Sequence, residues 1–252
     1  MNVSARNFLA RLAARREARL LALLILLLGV FVFLLFAIRG EWLPGLDLRI
    51  TRYLQRDRDR PMDAAAVFLT NAGGAVPLGF CGVAATVWFW RTHRPRTAVL
   101  VLLAALVGHP LDLAIKLLAA RPRPDANTVE VLLRASGTSF PSGHALANLL
   151  FWGLLAALCL IYPGRKAIKA TLAFLFVLVA LLIGLSRIYV GGHWASDVLG
   201  GWVCGLALLV GFLEARRIWA AEELLPLQNA TVSSRPLYSK GVGTSKQKGN
   251  KG

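Results

Sequence analysis

Six apolar runs divide the chain, at residues 20–38, 75–90, 97–115, 144–162, 170–186 and 195–213. Most approach the ~20 residues that carry a helix across ~30 Å of hydrocarbon. The pattern therefore predicts an all-α polytopic membrane protein with six transmembrane helices. The second run is short, and the small-residue stretch before it offers a place for it to begin. The first follows a basic head. It is too long for the hydrophobic region of a secretory signal, and no A-x-A cleavage site follows it, so it reads as a retained span. In the loop 40–74 the pattern changes: Leu46, Ile50, Tyr53 and Leu54 recur at helical spacing, interleaved with Arg49, Arg52, Arg56 and Arg58. That arrangement predicts a helix lying in the membrane interface, anchored among headgroups or gathering anionic lipids.

Composition sharpens this picture. The chain is 56% hydrophobic and 17% charged, where soluble domains average about 45–50% and 25%. Disorder, collagen and a nucleic-acid-binding domain are disfavoured. The net charge of +16 would suggest nucleic acid only if it were clustered on one soluble face. It is instead partitioned by the spans: with the N-terminus cytoplasmic, eighteen of the 29 Lys and Arg fall inside and eleven outside. The positive-inside rule then places both termini in the cytoplasm, and anionic headgroups account for much of the charge. The expected organisation is a basic N-terminus (1–19), a six-span catalytic domain (20–215) and a cytoplasmic tail (216–252). The tail's Ser, Gly, Lys and Asn content predicts disorder. Cys81, Cys159 and Cys204 each sit in an apolar run and form no CxxC pair, so they read as small hydrophobes. Gly201 and Gly205 form a GxxxG, read as close helix packing.

Residues able to do chemistry gather on one side of the predicted membrane, in the segments 116–144 and 186–197. Lys116, Arg123, Ser142 and His144 follow the third span; Arg187 lies between the fifth and sixth, and His193 and Asp197 follow at the start of the sixth. Three cations, two imidazoles and a carboxylate at one depth suggest an anion site with acid–base groups. Pro122 and Pro124 end any helix near Ala120, placing Arg123 on a stiff turn. His193 and Asp197 are i and i+4, which on a helix would let the carboxylate hold one ring nitrogen and free the other. Gly191-Gly192 would let backbone approach a bulky ligand. Ser142 is placed to cap the helix opened by Pro141-Ser142-Gly143-His144, whose free amides point at a bound anion.

Lys116-x6-Arg123-Pro124, Pro141-Ser142-Gly143-His144 and Ser186-Arg187-x5-His193-x3-Asp197 together resemble the three-part signature of the type 2 phosphatidic acid phosphatase superfamily. Arg121-Pro122 repeats the Arg-Pro pair, but only Arg123 has the matching spacing from Lys116. The resemblance implies a bacterial inner-membrane lipid phosphatase that needs no metal or other cofactor, with its site on the periplasmic side. It implies that His193 is a nucleophile forming a phosphohistidine and that Asp197 orients it. His144 would be the acid that protonates the leaving oxygen and then the base that activates water. Lys116, Arg123, Arg187, Ser142 and the Gly143 amide would cradle the phosphate. Undecaprenyl diphosphate and phosphatidylglycerophosphate are the favoured substrates; transfer of the phosphoryl group to another lipid, such as lipid A, uses the same residues. Such a metal-free displacement relies on positioning, cationic stabilisation and a covalent intermediate. With one imidazole neutral and the other protonated, the pH–rate profile should be bell-shaped.

Smaller features carry plainer expectations. Asp112 stands one turn before Lys116, enough for a local ion pair, with His109 nearby. Asn148 could hydrogen-bond across helices. Trp42, Trp90, Trp152, Tyr189 and Trp194 fall near span ends, as in an aromatic belt.

Overall fold

The computed structural model describes residues 3–233. Among them are eight helices and no strand: α1 (Val3–Arg39), α2 (Pro44–Leu54), α3 (Arg60–Ala72), α4 (Ala75–Arg91), α5 (Pro95–Ala119), α6 (Gly143–Ile161), α7 (Lys166–Tyr189) and α8 (Ala195–Ser233). Internal contacts divide the chain into two compact units, Met1–Arg216 and Arg217–Gly252; the residues of the site all belong to the first. α8 runs on to Ser233, into the tail 216–252 for which disorder was expected, and residues 234–252 of that tail lie outside the described residues.

Among the described residues, five segments are long and apolar enough to cross a membrane: Ala14–Arg39, Pro95–Leu117, Gly143–Ile161, Lys166–Tyr189 and Ala195–Ala220. The sixth crossing departs from expectation. α4 has only 17 residues, about 26 Å of helix. It meets α3 at Gly73-Gly74 with a 58° bend, and only together do the two pass as a sixth membrane segment, a broken span or a re-entrant loop. Part of the loop 40–74 therefore belongs to the bundle. Asp59 starts α3 by accepting the Met62 amide at 2.7 Å, which satisfies one of the unpaired N–H groups of the first turn.

α6 is the centre of the bundle. Leu146, Ala147, Leu150, Phe151 and Leu154 have no exposed surface, so this stretch of α6 is enclosed by its neighbours on several sides. Small residues bring its neighbours close. A Cβ added at Gly108 would lie 2.6 Å from Ala147, at Gly201 2.5 Å from the Ser142 carbonyl oxygen, and at Gly205 2.8 Å from the Leu146 carbonyl oxygen. The Gly201/Gly205 pair thus packs α8 on α6, as the GxxxG reading expected. The outward faces expose Leu21, Ile25, Phe33, Phe80 and Phe174, as surfaces solvated by lipid do. All three cysteines are free.

The interfacial helix exists as α2, but its inward positions are polar. Asp47 and Thr51 are buried, whereas Leu46 and Tyr53 are exposed. Two of the aromatic residues expected in a belt are internal instead. Trp152 stacks on Phe176 with centroids 5.5 Å apart, and buried Tyr189 donates its hydroxyl to Asp63 at 2.8 Å. Trp42 and Trp90 are exposed, as that reading expected.

Candidate active site

The C-terminal ends of α5 and α7 and the N-terminal ends of α6 and α8 lie at the same face of the bundle, because consecutive spans alternate in direction. α5 stops where the prolines dictate: Ala120 takes a left-handed conformation (φ 48°) and closes the helix on the Lys116 carbonyl. The Pro-flanked turn then holds Arg123 on three backbone carbonyls. Its Nε donates to Ser136 and Gly137 at 3.2 and 3.1 Å, and its Nη1 to Gly192 at 2.7 Å. The same Nη1 stands 3.0 Å from His193 Nε2. A guanidinium can only donate, so Nε2 is the unprotonated ring nitrogen and Nδ1 carries the hydrogen. Residues 70 positions apart thus meet at a lone pair able to attack.

His193 sits in the turn before α8 rather than on the helix, and Asp197 in the first turn of α8. The pair still meets, with Nδ1 to Oδ2 at 3.6 Å, longer than a formed hydrogen bond. Asp197 has no exposed surface and is fixed independently of the imidazole: Oδ2 accepts from the Trp194 amide at 2.8 Å and from the Ser139 hydroxyl. Burial is the larger influence on His193 and pulls its pKa down to about 4, opposed by Asp197 and reinforced by Arg187 and Arg123. The imidazole is therefore neutral near pH 7. Burial likewise lowers Arg123 below the usual guanidinium value, opposed by Asp197 and Asp112.

The other expected residues converge here. Arg187 occupies the last turn of α7, not a loop. Its guanidinium lies against Gly192, where a Cβ would be 2.7 Å from Nη2. Gly191 is required for a different reason than ligand access: its φ is +70° and a side chain there would strike the Glu130 carbonyl. His144, in the first turn of α6, packs edge-on to His109 with centroids 5.9 Å apart. It is within electrostatic reach of Arg187, His193 and Lys116. Lys116 forms the expected ion pair with Asp112 at 2.7 Å; Gly143 leaves room for that carboxylate, since a Cβ would fall 2.7 Å from Asp112 Cγ. Ser142 occupies the N-cap position of α6, yet its side chain makes no cap hydrogen bond. Ser142 Oγ, Arg187 Nε, His193 Nδ1, Asp112 Oδ1 and His109 Nε2 are all buried and unpartnered among the described residues. Each such atom costs about 1–3 kcal/mol, so their concentration in one place marks a site built for a polar ligand. A polar cavity of about 470 Å³ adjoins it, walled by Arg123, Asn127, Arg134 and Gly192.

Three residues of this region escaped the sequence reading. Arg121 is 7% exposed and Asp47 2%. Arg121 Nη1 donates to Asp197 Oδ1 and Nη2 to Asp47 Oδ2, both at 2.6 Å. Asp47 also accepts from the Ser196 amide at 2.8 Å and its hydroxyl at 2.6 Å. Ser139 completes the grip on Asp197. The repeated Arg-Pro pair was the available signal for Arg121; nothing in the local sequence singled out Asp47 or Ser139. Asn148 does hydrogen-bond across helices. Its Nδ2 donates to the Gly73 carbonyl at 2.8 Å and the His144 carbonyl at 2.9 Å, while Oδ1 accepts from Trp152 at 3.0 Å. The bend of the broken span is thereby tied to the helix turn that carries His144. Trp194 donates to the Pro122 carbonyl at 3.2 Å.

The family model described as the PAP2 superfamily matches residues 96–219. Undecaprenyl-diphosphatase BcrC of Bacillus subtilis (strain 168) is 30% identical over 155 residues, covering 60% of this chain and 72% of BcrC. The chain belongs to the PAP2 superfamily. Phosphatidylglycerophosphatase B of the same organism is 28% identical over 182 residues, covering 71% of this chain and 87% of its own. Among solved structures, the transmembrane PAP2 type phosphatidylglycerolphosphate phosphatase from Bacillus subtilis superposes with a TM-score of 0.67 at 24% identity. That match covers 77% of this chain and 96% of the other, and it supports the all-helical membrane fold. This PAP2 chain is a multi-span lipid phosphatase, the class that its three sequence segments resembled.

Proposed function

We propose that this PAP2 protein removes the terminal phosphate of a lipid phosphate or diphosphate, without a metal, through a phosphohistidine on His193. Undecaprenyl diphosphate and phosphatidylglycerophosphate are the favoured substrates. The observation that carries the reading is the His193 Nε2 lone pair standing 3.0 Å from Arg123, with Asp197 behind the opposite nitrogen.

In the proposed reaction Lys116, Arg123, Arg187, Ser142 Oγ and the Gly143 amide hold the phosphate oxygens. Phosphate displaces Arg123 from Nε2, turning a ring contact into an oxyanion contact. Nε2 attacks phosphorus in line; the N–P bond forms as the bond to the leaving oxygen breaks. His144 donates a proton to that oxygen, and Asp197 stabilises the positive charge gained by the His193 ring. His144 then takes a proton from water, the resulting hydroxide attacks phosphorus, and the N–P bond breaks to free inorganic phosphate. Fixed cations and dipoles supply the charge stabilisation. The adjoining cavity beside Arg123 and Arg134 has room for the part of the headgroup beyond the reacting phosphate.

The Lys and Arg distribution supports a site on the periplasmic side and both termini in the cytoplasm. A lipid in the outer leaflet then presents its phosphate at the depth of His193. The test is phosphate release by the purified protein from both favoured lipids, with and without a chelator. Turnover unaffected by the chelator and abolished in His193→Ala is expected; chelator-sensitive turnover, or a fully active variant, overturns the proposal.

A further inference from the structure

At the end of the bundle opposite His193, α4, α6 and α7 enclose a second cavity of about 430 Å³. Its walls are apolar, including Phe89, Leu158 and Phe176, and its mouth carries Arg94, Arg165 and Lys169. No Asp or Glu lines it. None of the three cations is ion-paired among the described residues. Arg94 instead lies 3.7 Å above the ring of Tyr162, whose hydroxyl is held by Thr97 at 2.6 Å. Arg94 and Arg165 are also the N-cap residues of α5 and α7. Neither helix has a side-chain cap bond or an acidic residue in its first turn. The positive ends of these two helices favour negative charge at this rim.

We propose that this cavity binds an anionic glycerophospholipid, one acyl chain between α4, α6 and α7 and the phosphate at Arg94, Arg165 and Lys169. The cavity has the size and apolar lining of a ligand site, and its polar contribution is all of one sign. Its position selects a membrane lipid over a soluble anion, because the slot lies among faces whose exposed neighbours, Trp88 and Phe174, are lipid-solvated. It is also a separate site. α6 has 19 residues, about 28 Å, and His144 stands at the other end. A ligand here occupies the opposite leaflet from the lipid on which His193 acts. The proposal does not depend on the phosphohistidine reading.

The experiment uses the full chain in phosphatidylcholine nanodiscs containing a small fraction of phosphatidylglycerol with a photoreactive diazirine in one acyl chain. Phosphatidylglycerol is a phosphodiester without a terminal phosphate, so turnover does not consume it. After illumination, mass spectrometry maps the attached chain, and phosphatidylcholine with the same diazirine chain serves as the control. Labelling on the segments containing Phe89, Leu158 and Phe176 is expected, at least about fivefold stronger for the anionic probe. Arg165→Glu with Lys169→Glu, on exposed and half-exposed positions, should abolish the preference. Equal labelling by the two lipids, or labelling of the anionic probe only elsewhere, overturns the proposal. The wild-type comparison alone suffices if the double variant fails to fold.

Discussion

Arg121 and Arg123 are two positions apart and do different things. Arg123 is laid along three carbonyls with one nitrogen at His193. Arg121 is buried between two carboxylates, Asp47 and Asp197. Spacing from Lys116 distinguished them, and the left-handed residue at Ala120 and the following prolines fix where each side chain emerges. The partner of Arg121 was invisible from sequence, since Asp47 is 74 positions away on a helix that hydropathy described only by its apolar residues. We expect Asp47→Asn to lower kcat at least tenfold with little change in KM, because Arg121 then pulls on Asp197 alone. Removing one member of a buried charge pair costs about 3–5 kcal/mol, so a fall in Tm is also expected; a lower Tm with unchanged kcat would make the pair purely structural. The pH dependence follows from the lowered pKa of His193. A protonated imidazole cannot attack, so kcat/KM should fall on the acid side only as pH approaches about 4, well below the 6.5 of a free histidine. Asp197 opposes that lowering. Asp197→Asn should therefore move the acid limb to still lower pH while reducing the maximum rate. An acid limb near pH 6.5 in the wild type would contradict the burial argument.

Among the helices, the long apolar runs were readable because each carries its own signal, and α1, α5, α6, α7 and α8 formed where hydropathy located them. α3 and α4 were harder. Their combined span passes only as a pair, since neither is long enough alone, and Arg60 and Asp63 make the first half look like loop. What unites them is a contact no window can detect, the Asn148 bond to the Gly73 carbonyl. Asn148→Leu would leave that carbonyl and Trp152 Nε1 without their partner. A loss of about 1–3 kcal/mol is expected, measurable as a lower Tm in detergent, together with reduced activity because the same side chain holds the His144 turn. A stable variant with lowered Tm but full activity would confine Asn148 to the bend. The expected cap by Ser142 failed for a related reason: preference for the N-cap position is local, whereas the orientation of Oγ depends on the packing around it, and here Oγ is buried without a cap bond.

For the molecule as a whole, alternating helix direction does most of the assembly. It brings four helix ends to one face, so that residues 116–197 close around one point although they are dispersed along the chain. The shared depth of these residues was legible in the sequence, because depth follows from span order; the distances, and the buried contacts of Asp47, Arg121 and Ser139 behind Asp197, were not. The same alternation makes sidedness testable. In a variant whose native cysteines are replaced by Ala, Thr128→Cys should react with a membrane-impermeant maleimide in intact cells, and Gly164→Cys only after permeabilisation; the reverse pattern would invert the proposed orientation. The most direct test of His193 as the nucleophile is to quench turnover of a lipid phosphate in alkali, where phosphohistidine survives, and to map phosphorylated peptides by mass spectrometry. Phosphate on His193, absent in His193→Ala and accumulating in His144→Ala with a substrate whose leaving group needs no protonation, is the expected result. Wild-type phosphate release by His193→Ala, or phosphate attached to a different residue, would contradict it.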